Sequence, residues 1–102
     1  MKLNLTVEMK TLIGEPLMME LASGVKRPLT MRDVCCESLL ASRKDEDVKM
    51  LDKLHRWTLA TKIWETKESE IEISPEDAVL IKEQVNKTFT TTVVGQVCLL
   101  LA

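Results

Sequence analysis

One histidine, His55, is the whole imidazole supply of the 102-residue chain. Any acid-base or metal chemistry built on imidazole rests on this residue, which stands on the polar flank of a helical stretch beside Asp52 and Arg56 and reads as a surface side chain. Glycine is almost as scarce. The three present, at positions 14, 24 and 95, are scattered, and neither Gly-Lys-Ser nor Gly-x-Gly-x-x-Gly occurs, so no loop is built to cradle phosphate. A Gly-x-Ser-x-Gly nucleophile elbow is missing too. Cysteine numbers three, and two of these, Cys35 and Cys36, are neighbours. Adjacent helical residues point about 100° apart and cannot both face one ion. With no Cys-x-x-Cys pair, a zinc site is not expected, and an odd count with adjacent cysteines does not make a disulfide framework. A reducing cytoplasm is the simplest setting. Unpaired, Cys35 and Cys98 read as small core hydrophobes.

Blocks of basic charge are also lacking. Fourteen Lys and Arg stand against sixteen Asp and Glu, for a net charge of -2, and the signs are mixed along the chain. The basic patch that neutralises phosphates is absent, so nucleic acid is not an expected partner. The longest apolar run, Val97 to Ala102, falls far short of the roughly 20 residues that cross a bilayer. The start of the chain carries one Lys and then alternates, unlike a signal or transit peptide, so a soluble protein without a membrane partner is expected. Asp45, Glu46 and Asp47 share their stretch with Arg43, Lys44 and Lys49, the pattern of a solvated connection rather than a paired acid and base. The expectation is a protein that is not an enzyme, with no catalytic, cofactor-binding or metal-ligating residues and no cofactor.

What is present is a globular balance, 45% hydrophobic and 29% charged, in a length suited to one domain of about 100 residues. Leu3, Leu5, Val7 and Met9 alternate with polar residues over positions 2–10, a half-buried strand. Gly14-Glu15-Pro16 interrupts the alternation, and Leu17, Met19 and Leu21 resume it, which predicts a hairpin turning near Gly14. Ser23, Gly24 and Pro28 mark a loop. Thr30, three residues before Asp33, reads as the N-cap of a helix over 31–42. A second helix, over 47–65 and capped by Asp45 or Asp47, is apolar on two sides: Met50, Leu51, Leu54, Trp57 and Trp64 on one broad face, Val48, Leu59 and Ile63 nearly opposite. Such a helix should be sandwiched, between the hairpin on one side and other helices or a partner on the other.

Ile71-Glu72-Ile73 suits an edge strand or docked extended chain. Ser74-Pro75-Glu76-Asp77 joins an N-cap, a proline at the first helical position and acids in the first turn, so a helix starts at Pro75 with Ala78, Ile81, Val85 and Phe89 as its apolar stripe. Thr88 to Val94 favours a strand by propensity, yet Val94, Val97, Cys98 and Leu101 stand at helical spacing, and a last helix over 91–101 capped by Thr90 or Thr91 is the reading adopted. The predicted fold is α+β and mainly helical: one domain over 1–102, with a hairpin and loop at 1–28 and about four helices in 29–102.

Trp57 and Trp64, seven residues apart, are either core anchors or hot spots for a partner, a class in which Trp is enriched. With Met50, Leu54 and the C-terminal Leu101 they form the candidate partner-binding set. Two apolar sides on one helix, in a domain with few elements to cover them, predict a homo-oligomer, first of all a two-fold dimer.

The alternating start, Gly14-Glu15-Pro16, Pro28-Leu29-Thr30 with Arg32-Asp33, Arg56-Trp57 followed by Leu59-Ala60 and Lys62-Ile63, Leu80-Ile81-Lys82, and Val93-Val94-Gly95-Gln96 together span nearly the full chain. In this pattern the sequence resembles small proteins encoded by tailed bacteriophages and prophages. Asn86 and Thr90-Thr91 depart from it, standing where a Gly before Lys87 and a Gly-Pro breaker near position 90 are the pattern. The resemblance implies the cytoplasm of a bacterial host and a non-enzymatic protein working through protein-protein interaction with phage structural or host proteins. Virion or tail assembly fits by analogy with small tail-assembly chaperones. The alternative it implies is a small phage regulator that binds a host factor or nucleic acid.

Overall fold

The structure, a computed structural model, describes residues 1–41 and 46–101. In chain order its elements are β1 (Lys2–Asn4), β2 (Met18–Glu20), β3 (Lys26–Pro28), α1 (Met31–Leu40), α2 (Met50–Glu65), β4 (Glu70–Glu72), α3 (Pro75–Thr88) and α4 (Thr91–Leu100). The class is α+β with four helices. The strands, however, form two separate two-stranded sheets, β1 with β4 and β2 with β3, in place of a single N-terminal hairpin.

The alternation at the start of the chain does report a buried row, because Leu3, Leu5 and Met9 all lie in the core. It does not report one continuous strand. Asn4 Oδ1 accepts hydrogen bonds from the Thr6 amide at 3.0 Å and the Thr6 hydroxyl at 2.8 Å, a local turn that takes the chain out of one ladder. Before that turn β1 runs antiparallel to β4, with Leu3 opposite Ile71. After it, Met9 is held between two other segments: its amide donates to the Leu29 carbonyl and its carbonyl accepts from the Leu17 amide, both at 2.8 Å.

The turn expected near Gly14 is present. Thr11 N-H donates to the Glu15 carbonyl at 2.8 Å, Gly14 N-H to the Thr11 carbonyl at 3.0 Å, and Gly14 takes φ +87. This is a three-residue hairpin loop whose last position is left-handed and favours glycine. The same form recurs at Ala22–Gly24, with Leu21 N-H on the Val25 carbonyl and Gly24 at φ +85, and it joins β2 to β3. Residues 23–28 are therefore a hairpin turn and a strand, not a loop. Lys26-Arg27-Pro28 carries no apolar alternation, so the backbone pairing there had no side-chain pattern to announce it.

α1 is the central helix, packed on α2 along one side and α3 along another. It, not α2, is the sandwiched element, with Met31, Val34, Cys35, Cys36, Ser38 and Leu39 all buried. Its start carries the expected cap: Thr30 and Asp33 form a reciprocal capping box. Asp33 is itself buried and is tied to Arg27 by two guanidinium hydrogen bonds of 2.8 and 2.6 Å. β3 thus supplies the counter-charge that lets an acid stand inside the fold. The helix ends at Leu40 with Ala41 as C-cap; the expected end at Ser42 lies outside the described residues.

α2 begins at Met50, later than the expected 47, because its N-cap position is Lys49, which offers no side-chain acceptor; neither does Asp47 cap it, and Asp45 lies outside the described residues. α3 starts as read: Ser74 is the N-cap, its hydroxyl accepting from the Asp77 amide at 3.1 Å, and Pro75 opens the helix. Ser74→Ala should therefore cost about 1 kcal/mol in denaturant melts. No change in the urea midpoint would show that the bond contributes nothing.

The Thr-rich stretch after α3 is not a strand. Phe89 ends α3, and Thr90 sits at the N-cap of α4 without a side-chain bond, its carbonyl accepting from Val93 and Val94 instead. α4 is anchored to the start of the chain by Gln96, whose amide accepts from Lys10 N-H and donates to the Lys10 carbonyl, each at 2.8 Å. That side chain pairs with residue 10 as a neighbouring strand would. The buried residues of all these elements form one hydrophobic cluster.

Candidate functional site

The 16 residues of α2 divide into two faces. Leu59, Ala60 and Ile63 turn inward and are buried, with Val48 just before the helix half-buried. On the other face Met50 is 78% exposed, Leu54 58%, Trp57 59% and Trp64 56%. Together with half-buried Thr61 they stand at steps of four, three, four and three, the 3.5-residue period that keeps one row of side chains in line along a partner. Leu51, also exposed, lies beside the row. Both tryptophans are therefore surface residues and not core anchors, because α1 and α3 fill the interior and none of the described elements lies over this side of α2.

Antiparallel packing of α1 on α2 creates two recesses divided by Trp57, Leu40 and Ala41. Cys36 and Ala60, both small, line the larger, of about 580 Å³, together with Leu40, Trp57 and Trp64, and Glu37 and Glu65 stand beside it. The smaller, of about 300 Å³, is bordered by Leu39, Val48, Lys53 and Arg56. Arg56 is engaged with Glu46 at 2.8 Å. Among the described residues Lys53, Glu37 and Glu65 take part in no ion pair. The sequence reading missed Leu40; its position four residues after Cys36 on one helix is the signal that would have placed both on this side of α1.

Cys35 and Cys36 are held as thiols. Burial, reinforced by Asp33 and opposed by Arg32, pushes the Cys36 thiol up to about 11, and its Sγ donates to the Ala60 carbonyl at 3.6 Å. Burial and the neighbouring Cys36 push Cys35 up to about 12. A thiol so far above neutrality is not a nucleophile, since the thiolate is the reactive form. Cys98, expected in the core, is exposed on the outer side of α4, because Val93 and Val97 take the inward positions. Leu101, expected in the partner-binding set, is 2% exposed and belongs to the core, where it follows Val97 by one helical turn. His55 lies with its Nε2 2.8 Å from Asp77 Oδ1, bridging α2 to the first turn of α3 rather than keeping to Asp52 and Arg56.

Among the described residues no three of His, Cys, Asp and Glu converge to hold a metal ion, and no helix is long and apolar enough to cross a membrane. A further apolar feature that the sequence reading did not single out is the tip of the Gly14 turn, where Leu12 and Ile13 project fully into solvent. No protein-family profile, curated protein or solved structure matches the chain.

Proposed function

We propose that the protein is a non-enzymatic interaction protein of a tailed phage or prophage, working in the cytoplasm of the bacterial host through the α1–α2 face. The observation that carries this reading is the row Met50, Leu54, Trp57 and Trp64, more than half exposed on a helix whose opposite side is already buried. Contiguous apolar surface of this kind marks an interaction site, and tryptophan is the residue type most often found to dominate one. The phage setting, and with it a role in virion or tail assembly, rests on the sequence resemblance.

A regulator that binds a host factor is the second reading, and it uses the same face. Nucleic acid is the weaker version of that alternative, since Glu37 and Glu65 beside the larger recess repel phosphate. The test is co-expression with the individual virion and tail proteins of the phage. One of them should co-elute stoichiometrically with the wild type, and Trp57→Ser/Trp64→Ser should weaken that complex by at least about tenfold. A complex indifferent to both tryptophans, or a salt-sensitive DNA shift without any virion partner, would overturn the assembly reading.

A further inference from the structure

We infer that in the free protein this face is covered by a second copy of the chain, with α2 packed antiparallel on α2 across a two-fold axis that passes between Trp57 and Thr61. The inference rests on reading the face as a protein-binding surface and names its occupant.

The first support is area. Leu40, Met50, Leu51, Leu54, Trp57 and Trp64 together leave on the order of 800 Å² of mostly apolar surface open, which is what each partner contributes to a standard-size stable interface. The second is shape. A two-fold interface must fit itself, so each copy has to offer both a projection and a recess. Trp57 is the projection, and the recess between Trp57 and Trp64, lined by Cys36 and Ala60, is wide because both of these residues are small. An axis between Trp57 and Thr61 sets Trp57 of one copy against Thr61 of the other, hence into that recess, and Leu54 against Trp64. These pairings follow the seam of an antiparallel coiled coil, in which the two apolar positions of the repeat alternate across the contact.

The third support is charge. Lys53 borders the recess on the N-terminal side of Trp57, and Glu37 and Glu65 border the one on the C-terminal side. Antiparallel packing exchanges the two ends and brings Lys53 of one copy opposite Glu37 of the other. Parallel packing sets like charges together and is disfavoured.

Light scattering coupled to gel filtration at tens of micromolar should give twice the chain mass of 11.6 kDa. Trp57→Ser should raise the dimer dissociation constant by about thirtyfold or more, and Lys49→Ala should leave it nearly unchanged. Lys53→Glu and Glu37→Lys should each weaken the dimer severalfold, and the two combined should restore it. Far-UV circular dichroism establishes that each variant keeps its helices, and the restored double variant cannot be explained by misfolding. A wild type that stays monomeric overturns the inference, as does a dimer insensitive to Trp57 or a charge pair without rescue. A monomer that still binds a virion protein through Trp57 and Trp64 overturns only the self-association and leaves the interaction reading standing. A dimer for which no virion or host protein competes overturns that reading instead.

Discussion

Ile63→Ala is expected to lower the free energy of unfolding by about 3 kcal/mol, whereas Leu54→Ala, nine residues earlier on the same helix, should change that of the monomer by less than about 0.5 kcal/mol. Ile63 is fully buried on the inward face of α2, so truncation leaves a cavity that α1 and α2 cannot close without moving. Leu54 is 58% exposed on the outward face, so its truncation opens no internal cavity. Urea melts at a concentration low enough to dissociate a dimer separate the two effects. For a domain of this length, with a total stability of about 5 to 15 kcal/mol, the Ile63 loss is a large fraction of the whole. Similar losses at both sites would mean that the outward face is covered within the chain, and the candidate site would have to be abandoned.

Asp33→Ala should cost about 2 kcal/mol, because it removes the carboxylate that Arg27 and Thr30 bond to and with it one half of the capping box, while the Thr30 hydroxyl keeps its bond to the residue-33 amide. Four groups converge on this carboxylate: two Arg27 guanidinium nitrogens, the Thr30 amide and the Thr30 hydroxyl. Burial pushes the Asp33 carboxyl up, but the hydrogen bonds from Arg27 and Thr30 and the Arg27 charge outweigh it and hold it below its ordinary value of 3.8. A carboxylate depressed in the folded state contributes stability that is fully present above its unfolded value and is lost as pH falls through the folded one. The wild type should therefore lose stability below about pH 4, and Asp33→Asn, which has no charge to titrate, should lose less over the same range. Parallel acid-unfolding curves for the two would show that the Arg27 pair makes no net contribution.

The helix starts of this protein were legible because a cap is a local device. Thr30 with Asp33, and Ser74 with Pro75 and Asp77, act within one turn, so three or four residues suffice to identify them. The two-sided character of α2 was legible for the same reason, as periodicity along one helix. Where the local signal was thin, boundaries moved: Lys49 offers no cap, and α2 starts at Met50.

Long-range choices were not legible. The alternation from Leu3 to Met9 says that a row of side chains is buried, yet nothing in it says that Leu3 faces Ile71 while Met9 is held by Leu17 and Leu29. Gln96, one polar residue among apolar neighbours on α4, gives no sign that it will pair with residue 10. Nor do the apolar positions of α2 say which set is inside. Both faces satisfy the hydrophobic pattern equally, and the inward one is the one that α1 and α3 can reach. The sequence by itself thus determined the helices, the caps of α1 and α3 and the existence of two apolar faces on α2, since each depends on residues a few positions apart. Only the tertiary structure decided that Leu59 and Ile63 are covered while Trp57 and Trp64 are left exposed, because burial depends on which distant segments arrive to fill the space.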